Sequence, residues 1–484
     1  MSEPPDSSHG RIIHDVPTSC RQSEIKNQKS KITDLTAGVA RLTITPFWGI
    51  ELAGWGYYLN RTWQRVHDHL HATALVLHDG NRAVVIVALD LMIIGRKFTQ
   101  RTRKLIYRET GIAPNAILLT CSHSHNAPAS GGILGGGQVD PLYEEWASRQ
   151  AATAAIEAWR NRKSAQLRPG SGELSGHTFN RTRENGPVDT RLTTLTVDDQ
   201  KGNPLAVVVN FQAHPTVATK LRPFDVSRDV PGQVCDLIEA SLSGAIALYL
   251  QGACGDVNFH RHYATPQRCH EPARALADLA LTCHRQAKSM VRNTVAAATK
   301  IVALPTRRWK KAEIDFDRTE GLRRLKTNDT TDWRETLGRV MTQRPEEMVD
   351  RHGGDLTKAV RAMARFNVEW TDRLLKDWQT RALALHSEVQ ALRVGDLFLV
   401  ANSAELFSTF ALNVRQQSQV EHLMIAGYAN GRIGYVPDDY NIANQTYAAY
   451  QSPKYCNQFP FTAKSGPQLS AGMVDVINKC GNDS

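Results

Sequence analysis

The chain has 484 residues, of which 41% are hydrophobic and 22% charged, with a formal net charge of +10. That length and mixture suit a globular protein in which one large catalytic domain can bury a sizeable core, and they exclude a fibrous or wholly disordered chain. Lys and Arg are scattered and no nucleic-acid-binding motif occurs, so the positive balance reads as a solvated basic surface and no nucleic-acid partner is expected.

The eight cysteines form no CxxC pair and no regular framework, which argues against a cysteine zinc ribbon or a disulfide scaffold. Residues 1–34 are polar and lack the apolar core of a secretory signal, so a disordered extension is expected there. No apolar run reaches the length of a membrane span, which makes an integral membrane segment unexpected and the cytoplasm the default location. Residues 35–484 are expected to form a single domain.

In chain order, short runs rich in Val, Ile and Leu read as buried strands, and each leads into polar residues. Ala83 to Leu89 runs into Asp90, and Ala116 to Thr120 runs into Cys121-Ser122-His123-Ser124-His125. Leu205 to Val209 leads to His214, and Ala245 to Leu250 leads to Gly255-Asp256-Val257-Asn258. Leu397 to Val400 precedes Glu405, and Leu423 to Ala426 precedes Asn430 and Tyr435. Helical patterns alternate with these strands over Lys97 to Thr110, Leu142 to Arg162 and Glu271 to Val291. The order predicts an α/β fold with mixed sheets flanked by helices. Catalytic groups in such folds gather beyond the carboxyl ends of strands, where these polar residues stand. Ile314 to Leu385 is dense in Arg, Lys, Glu, Asp and Trp with few apolar positions, and predicts a solvated helical insertion.

His123 and His125, two apart after a strand, share a face in extended backbone. With His214 and Glu405 after other strands, they offer the mixed imidazole and carboxylate set that zinc accepts in catalytic sites. A rival cluster, His67-Asp68-His69-Leu70-His71, alternates in the same way and stands before a strand. It is expected not to be the primary metal site.

The segments AGVARLTITP, HSHNAP, NFQAHPT with SRDVPG, GACGDVN, NSAE and ANGRIGYVP, in that order, resemble the catalytic domain of the neutral, non-lysosomal ceramidase family from about Ala37 to Tyr450. The resemblance implies one zinc ion held by His123, His214, Glu405 and Tyr435. It also implies an active site containing His125, Arg181, Tyr447 and Asp256. Ser403-Ala404 replaces the family's Pro-Gly before the glutamate, and Asn258 stands where the family has a catalytic serine. Asparagine cannot accept an acyl group, so attack by a metal-activated water is expected instead. Asp256 is the expected base, Asn258 an oxyanion donor, and His125, Arg181 and Tyr447 the groups that bind the carbonyl. The chain is expected to lack the immunoglobulin-like C-terminal domain of the family, and its substrate to be a small-molecule or lipid-like amide or ester. A zinc lyase or cyclising transferase, and a catalytically silent zinc protein, remain alternatives. Oligomeric state is not legible.

Overall fold

The computed structural model describes residues 35–337 and 346–482. The extension expected over 1–34 lies outside them. Eight strands form the larger sheet: β1 (Thr36–Thr43), β2 (His71–His78), β3 (Ala83–Leu89), β4 (Ile117–Cys121), β5 (Lys163–Glu173), β6 (Arg191–Asp199), β7 (Pro204–Phe211) and β8 (Ile246–Gln251). Their spatial order is β8-β7-β6-β5-β1-β2-β3-β4. The interior pairs are antiparallel, whereas β3/β4 and β7/β8 at the two ends are parallel. A second sheet runs β9 (Val295–Pro305), β10 (Ala384–Val394), β11 (Leu397–Asn402), β12 (His422–Ala426), and its last pair, β11/β12, is again parallel.

Burial explains this arrangement. Every residue of β4, and all of β3 after Ala83, is buried, as expected for parallel strands covered on both faces. Each fully buried Leu or Ile there contributes roughly 1.5–3 kcal/mol. The helix Pro141–Arg160 covers the β1–β2 region with a face built mainly of alanines, Ala147, Ala151, Ala154, Ala155 and Ala158, which lets its backbone approach the sheet closely. Asp140 starts that helix by accepting from the Tyr143 amide at 2.8 Å, a cap contributing about 1 kcal/mol. On the opposite part of the sheet, the helices Asp229–Ser241 and Glu271–Gln286 pack against each other, the first on β8 and the second on β5 and β6. The second of these ends five residues before the predicted Val291.

The stretch between β9 and β10 is helical, with Lys311–Thr327, Glu346–Arg351 and Leu356–Leu375 as its described helices. It differs from the solvated lobe expected of its composition, because Trp309, Ile314, Trp333, Met363, Phe366 and Trp370 bury a core of their own. Few apolar residues suffice when they are this large. Lys454 closes the base of that core. Its ammonium lies 2.6 Å from Asp317 Oδ2, with the Tyr450, Trp370 and Trp309 rings around it.

The cysteines of the described residues are all free thiols. No helix among the described residues is long and apolar enough to cross a membrane.

Candidate metal centre and its cavity

The parallel pairs locate the site. His123 follows the carboxyl end of β4, His214 follows β7, Asp256 and Asn258 follow β8, Glu405 follows β11 and Tyr435 follows β12. Short bridges draw these ends together: His214 pairs with Asn258, and Glu405–Leu406 pairs in parallel with Tyr435–Val436.

His123 adopts a left-handed φ of 63°, a conformation costing on the order of 1–3 kcal/mol in a non-glycine residue and held only by strong surroundings. Those surroundings are the Met92 carbonyl, 2.9 Å from His123 Nδ1, and the Tyr428 ring, stacked at 3.9 Å between centroids. His214 Nδ1 likewise lies 2.5 Å from the Cys254 carbonyl oxygen. A carbonyl can only accept, so each Nδ1 carries the proton and each Nε2 presents a lone pair.

Those two Nε2 atoms face each other at 3.1 Å, and Glu405 Oε2 stands 3.4 Å from the first and 3.6 Å from the second. Glu405 Oε2 is buried and has no hydrogen-bond partner. Three converging acceptors with no proton between them repel one another, and a cation placed among them removes that conflict. The residues therefore fit a metal ion on the chemistry of their own donor set. His125 Nε2 lies 3.2 Å from His123 Nε2, and His123, His125 and His214 offer ligand atoms all within 4.8 Å of one another. Tyr435 Oη is 3.4 Å from His214 Nε2.

The charges follow from this geometry. Burial pushes His214 down to about 3 and His125 downward as well, so both imidazoles are neutral at pH 7. Burial, reinforced by Glu405, raises Tyr435 well above the ordinary phenol value.

Arg181 binds the Gly255 carbonyl through Nε and Nη2 at 3.2 and 2.8 Å and donates to Tyr435 Oη at 2.9 Å. Asn258 has its Oδ1 buried without a partner. His125, Arg181, Asn258, Tyr435 and Tyr447 all line one cavity of about 1320 Å³. Two glycines make this approach possible. A Cβ on Gly54 would come within 2.6 Å of His125 Cβ, and one on Gly255 within 2.6 Å of the Glu405 carbonyl oxygen.

Asp256, the expected base, stands behind this wall. It is fully buried and is not part of the cavity wall. Oδ1 accepts from the Ser408 amide and hydroxyl at 2.8 and 2.9 Å, and Oδ2 accepts from Asn180 Nδ2 at 2.8 Å. Its backbone carbonyl takes the Arg181 amide at 2.7 Å. Burial raises its carboxyl to about 6. In this geometry Asp256 fastens the Arg181 turn and the segment after Glu405 to each other.

Sequence reasoning missed Ser408, the Met92 and Cys254 carbonyls that set the imidazole tautomers, and the contribution of the helical stretch, whose Glu347, Asp350 and Arg351 line the cavity. Only the Gly54-Trp55-Gly56 triplet carried a local signal, since glycines flanking an aromatic residue mark a close backbone approach. The rival cluster does not converge. Arg222 Nη1 donates to His67 Nε2 at 3.0 Å, His69 Nδ1 lies 3.0 Å from Thr45 Oγ1, and His71 Nδ1 is 3.8 Å from Asp90 Oδ2.

The fold is that of the neutral ceramidases. The chain is similar to the crystal structure of neutral ceramidase from Pseudomonas aeruginosa, with a TM-score of 0.69 and 16% identity over 92% of this chain and 74% of that one. It is similar also to a ceramidase complexed with C2, with a TM-score of 0.66 and 16% identity over 92% of this chain and 75% of that one. No protein-family model and no curated protein sequence matches the chain. The likeness is one of fold.

Proposed function

We propose that the chain is a zinc-dependent hydrolase of an amide or ester bond, as its ceramidase-like fold and its sequence resemblance suggest. The observation that carries the reading is the convergence of His123 Nε2, His214 Nε2 and the partnerless Glu405 Oε2 beside a large cavity. His123, His214 and Glu405 would hold the ion, with Tyr435 as a weaker, protonated fourth group. A bound zinc supplies Lewis acidity and makes water a nucleophile near neutral pH.

The protein's own groups do the rest. Arg181, held in place by the Gly255 carbonyl, keeps a permanent charge at the cavity wall where the substrate carbonyl becomes an oxyanion. The Asn258 amide stands on the same wall and can donate to that oxygen, a role worth roughly 3 kcal/mol at the transition state. Tyr447 stays protonated, because burial raises its phenol, and can donate as well. His125 is the neutral base that the cavity offers, since Asp256 is committed to Ser408 and Asn180. It would take a proton from the attacking water and return it to the leaving nitrogen or oxygen. The net change is addition of water across the bond, yielding a carboxylic acid and an amine or alcohol.

A second arrangement, favoured by the mutual proximity of the three imidazoles, makes His125 a ligand in place of Tyr435. Metal analysis of His125→Ala separates the two, since a base can be removed without losing the ion and a ligand cannot. Turnover of N-acyl amides and esters in heavy-oxygen water tests the reaction class. Label in the acid product supports a hydrolase, turnover without label would make it a lyase or cyclising enzyme, and no turnover across the panel would leave a binding protein.

A further inference from the structure

The wall of the cavity contributed by the helical stretch meets a buried cation pair that the chemistry above does not use. Trp55, next to Gly54 beside His125, meets two guanidinium groups, with Arg61 Cζ 4.8 Å and Arg351 Cζ 4.5 Å from its ring centroid. Arg61 is 1% exposed. It donates through Nε to the Pro223 carbonyl at 2.6 Å, and through Nη1 to the carbonyls of Ala53 and His125 at 2.6 and 3.1 Å. Its Nη2 is buried without a partner, and no carboxylate of the described residues forms an ion pair with it. Arg351 lines the cavity with 11% of its side chain exposed, donates to the Gly56 carbonyl at 3.3 Å, and has Glu347 at a loose 3.6 Å.

Buried positive charge without matching negative charge is costly, and Arg61 carries such a charge directly behind Arg351. The remaining cavity wall does not redress the balance, since the guanidinium groups of Arg181 and Arg261 also line it. An incoming anion would do so. Contact with the Trp55 ring and the Gly56 carbonyl steadies the Arg351 fork, whose planar donors suit two-point binding of a carboxylate or phosphate.

We propose that this end of the cavity is an anion subsite, with Arg351 as the direct ligand and Arg61 as the charge behind it. Resting on the hydrolase reading, it makes the substrate an amide or ester that carries a carboxylate or phosphate on the part remote from the scissile bond. The aromatic side chains of Trp55, Tyr58 and Phe224 on the same wall would pack against the apolar chain joining the two ends.

The test uses the zinc-loaded full chain and two matched pairs of probes. These are N-dodecanoylglycine against its methyl ester, and N-dodecanoyl phosphoethanolamine against N-dodecanoyl ethanolamine. In at least one pair, kcat/KM for the anionic member should exceed that of the neutral one by about tenfold or more, chiefly through KM. Arg351→Gln should collapse that ratio toward one, and Arg351→Lys should keep part of it, which separates lost charge from lost folding. A ratio near one in the native protein for both pairs, or a ratio that survives Arg351→Gln, overturns the subsite. Calorimetric binding of the same probes keeps the two readings apart. Tighter binding of an anionic probe, lost in Arg351→Gln, upholds the subsite even where no probe is cleaved, whereas absence of cleavage across all amides and esters counts against the hydrolase alone.

Discussion

Two sets of three histidines stand near strand ends in this protein, and they behave in opposite ways. In His67, His69 and His71, which alternate along one segment, the rings find no common ligand position: Arg222 donates to His67, His69 lies against Thr45, and the buried His71 Nδ1 has no hydrogen-bond partner. In His123, His125 and His214, two different strands aim their Nε2 atoms into one volume, and a third supplies a carboxylate. Alternation creates a shared face, but convergence needs a second strand whose end points back at the first. An arginine donating to His67 also excludes a cation at that nitrogen, whereas backbone carbonyls at both Nδ1 atoms leave the other set open to one.

The contrast can be broken most directly at His214. His214→Ala removes one of the two converging lone pairs, and zinc content measured on the purified, folded variant should fall from about one ion per chain to near zero. Full occupancy there would sink the site. A smaller effect is expected from Asn258 on the cavity wall. Asn258→Ala should lower turnover by roughly 100-fold with zinc retained, as for loss of one oxyanion donor, and Asn258→Ser should recover part of it. Asp256 sharpens the distinction between touching substrate and holding those that do. Asp256→Asn leaves the Asn180 contact facing an amide and loosens two turns. It should cost about 3 kcal/mol of stability in denaturant unfolding, in the range for breaking a buried hydrogen-bonded charge network. Its pH–rate profile should keep the native midpoint, and a shifted midpoint would return it to the role of base. The least effect belongs to the rival cluster, where His69→Ala should leave zinc content and turnover within error.

The sequence made the strands of this site legible because parallel strands buried on both faces read as uninterrupted apolar runs, as in Ala83–Leu89 and Ile117–Cys121. The antiparallel strands between them were harder to see. Lys163–Glu173 contains Pro169 and two glycines, which argue against a strand, yet it pairs with β6 from Ala165 to Glu173. Tertiary pairing overrides local propensity there. The helical stretch was recognised as helical but misjudged as solvated, since composition counts its many charges and not the area each tryptophan buries. Asp256 was legible as a residue of the GDVN turn, but the direction of its carboxylate was not, because that depends on Ser408, which joins it only in the folded chain.

The convergence of strand ends also governs when the site can exist. His123, His214 and Glu405 come from chain positions separated by nearly three hundred residues, and no fragment shorter than the span between them contains the set. Closing loops of that length precedes any reward from the contacts they permit, so native-like metal capture belongs to the late part of folding. During synthesis the early histidines emerge long before their carboxylate partner. If the site binds zinc as proposed, ion uptake would serve as a clock for the completion of the fold, and stopped-flow refolding with a zinc-sensitive dye would read that clock directly.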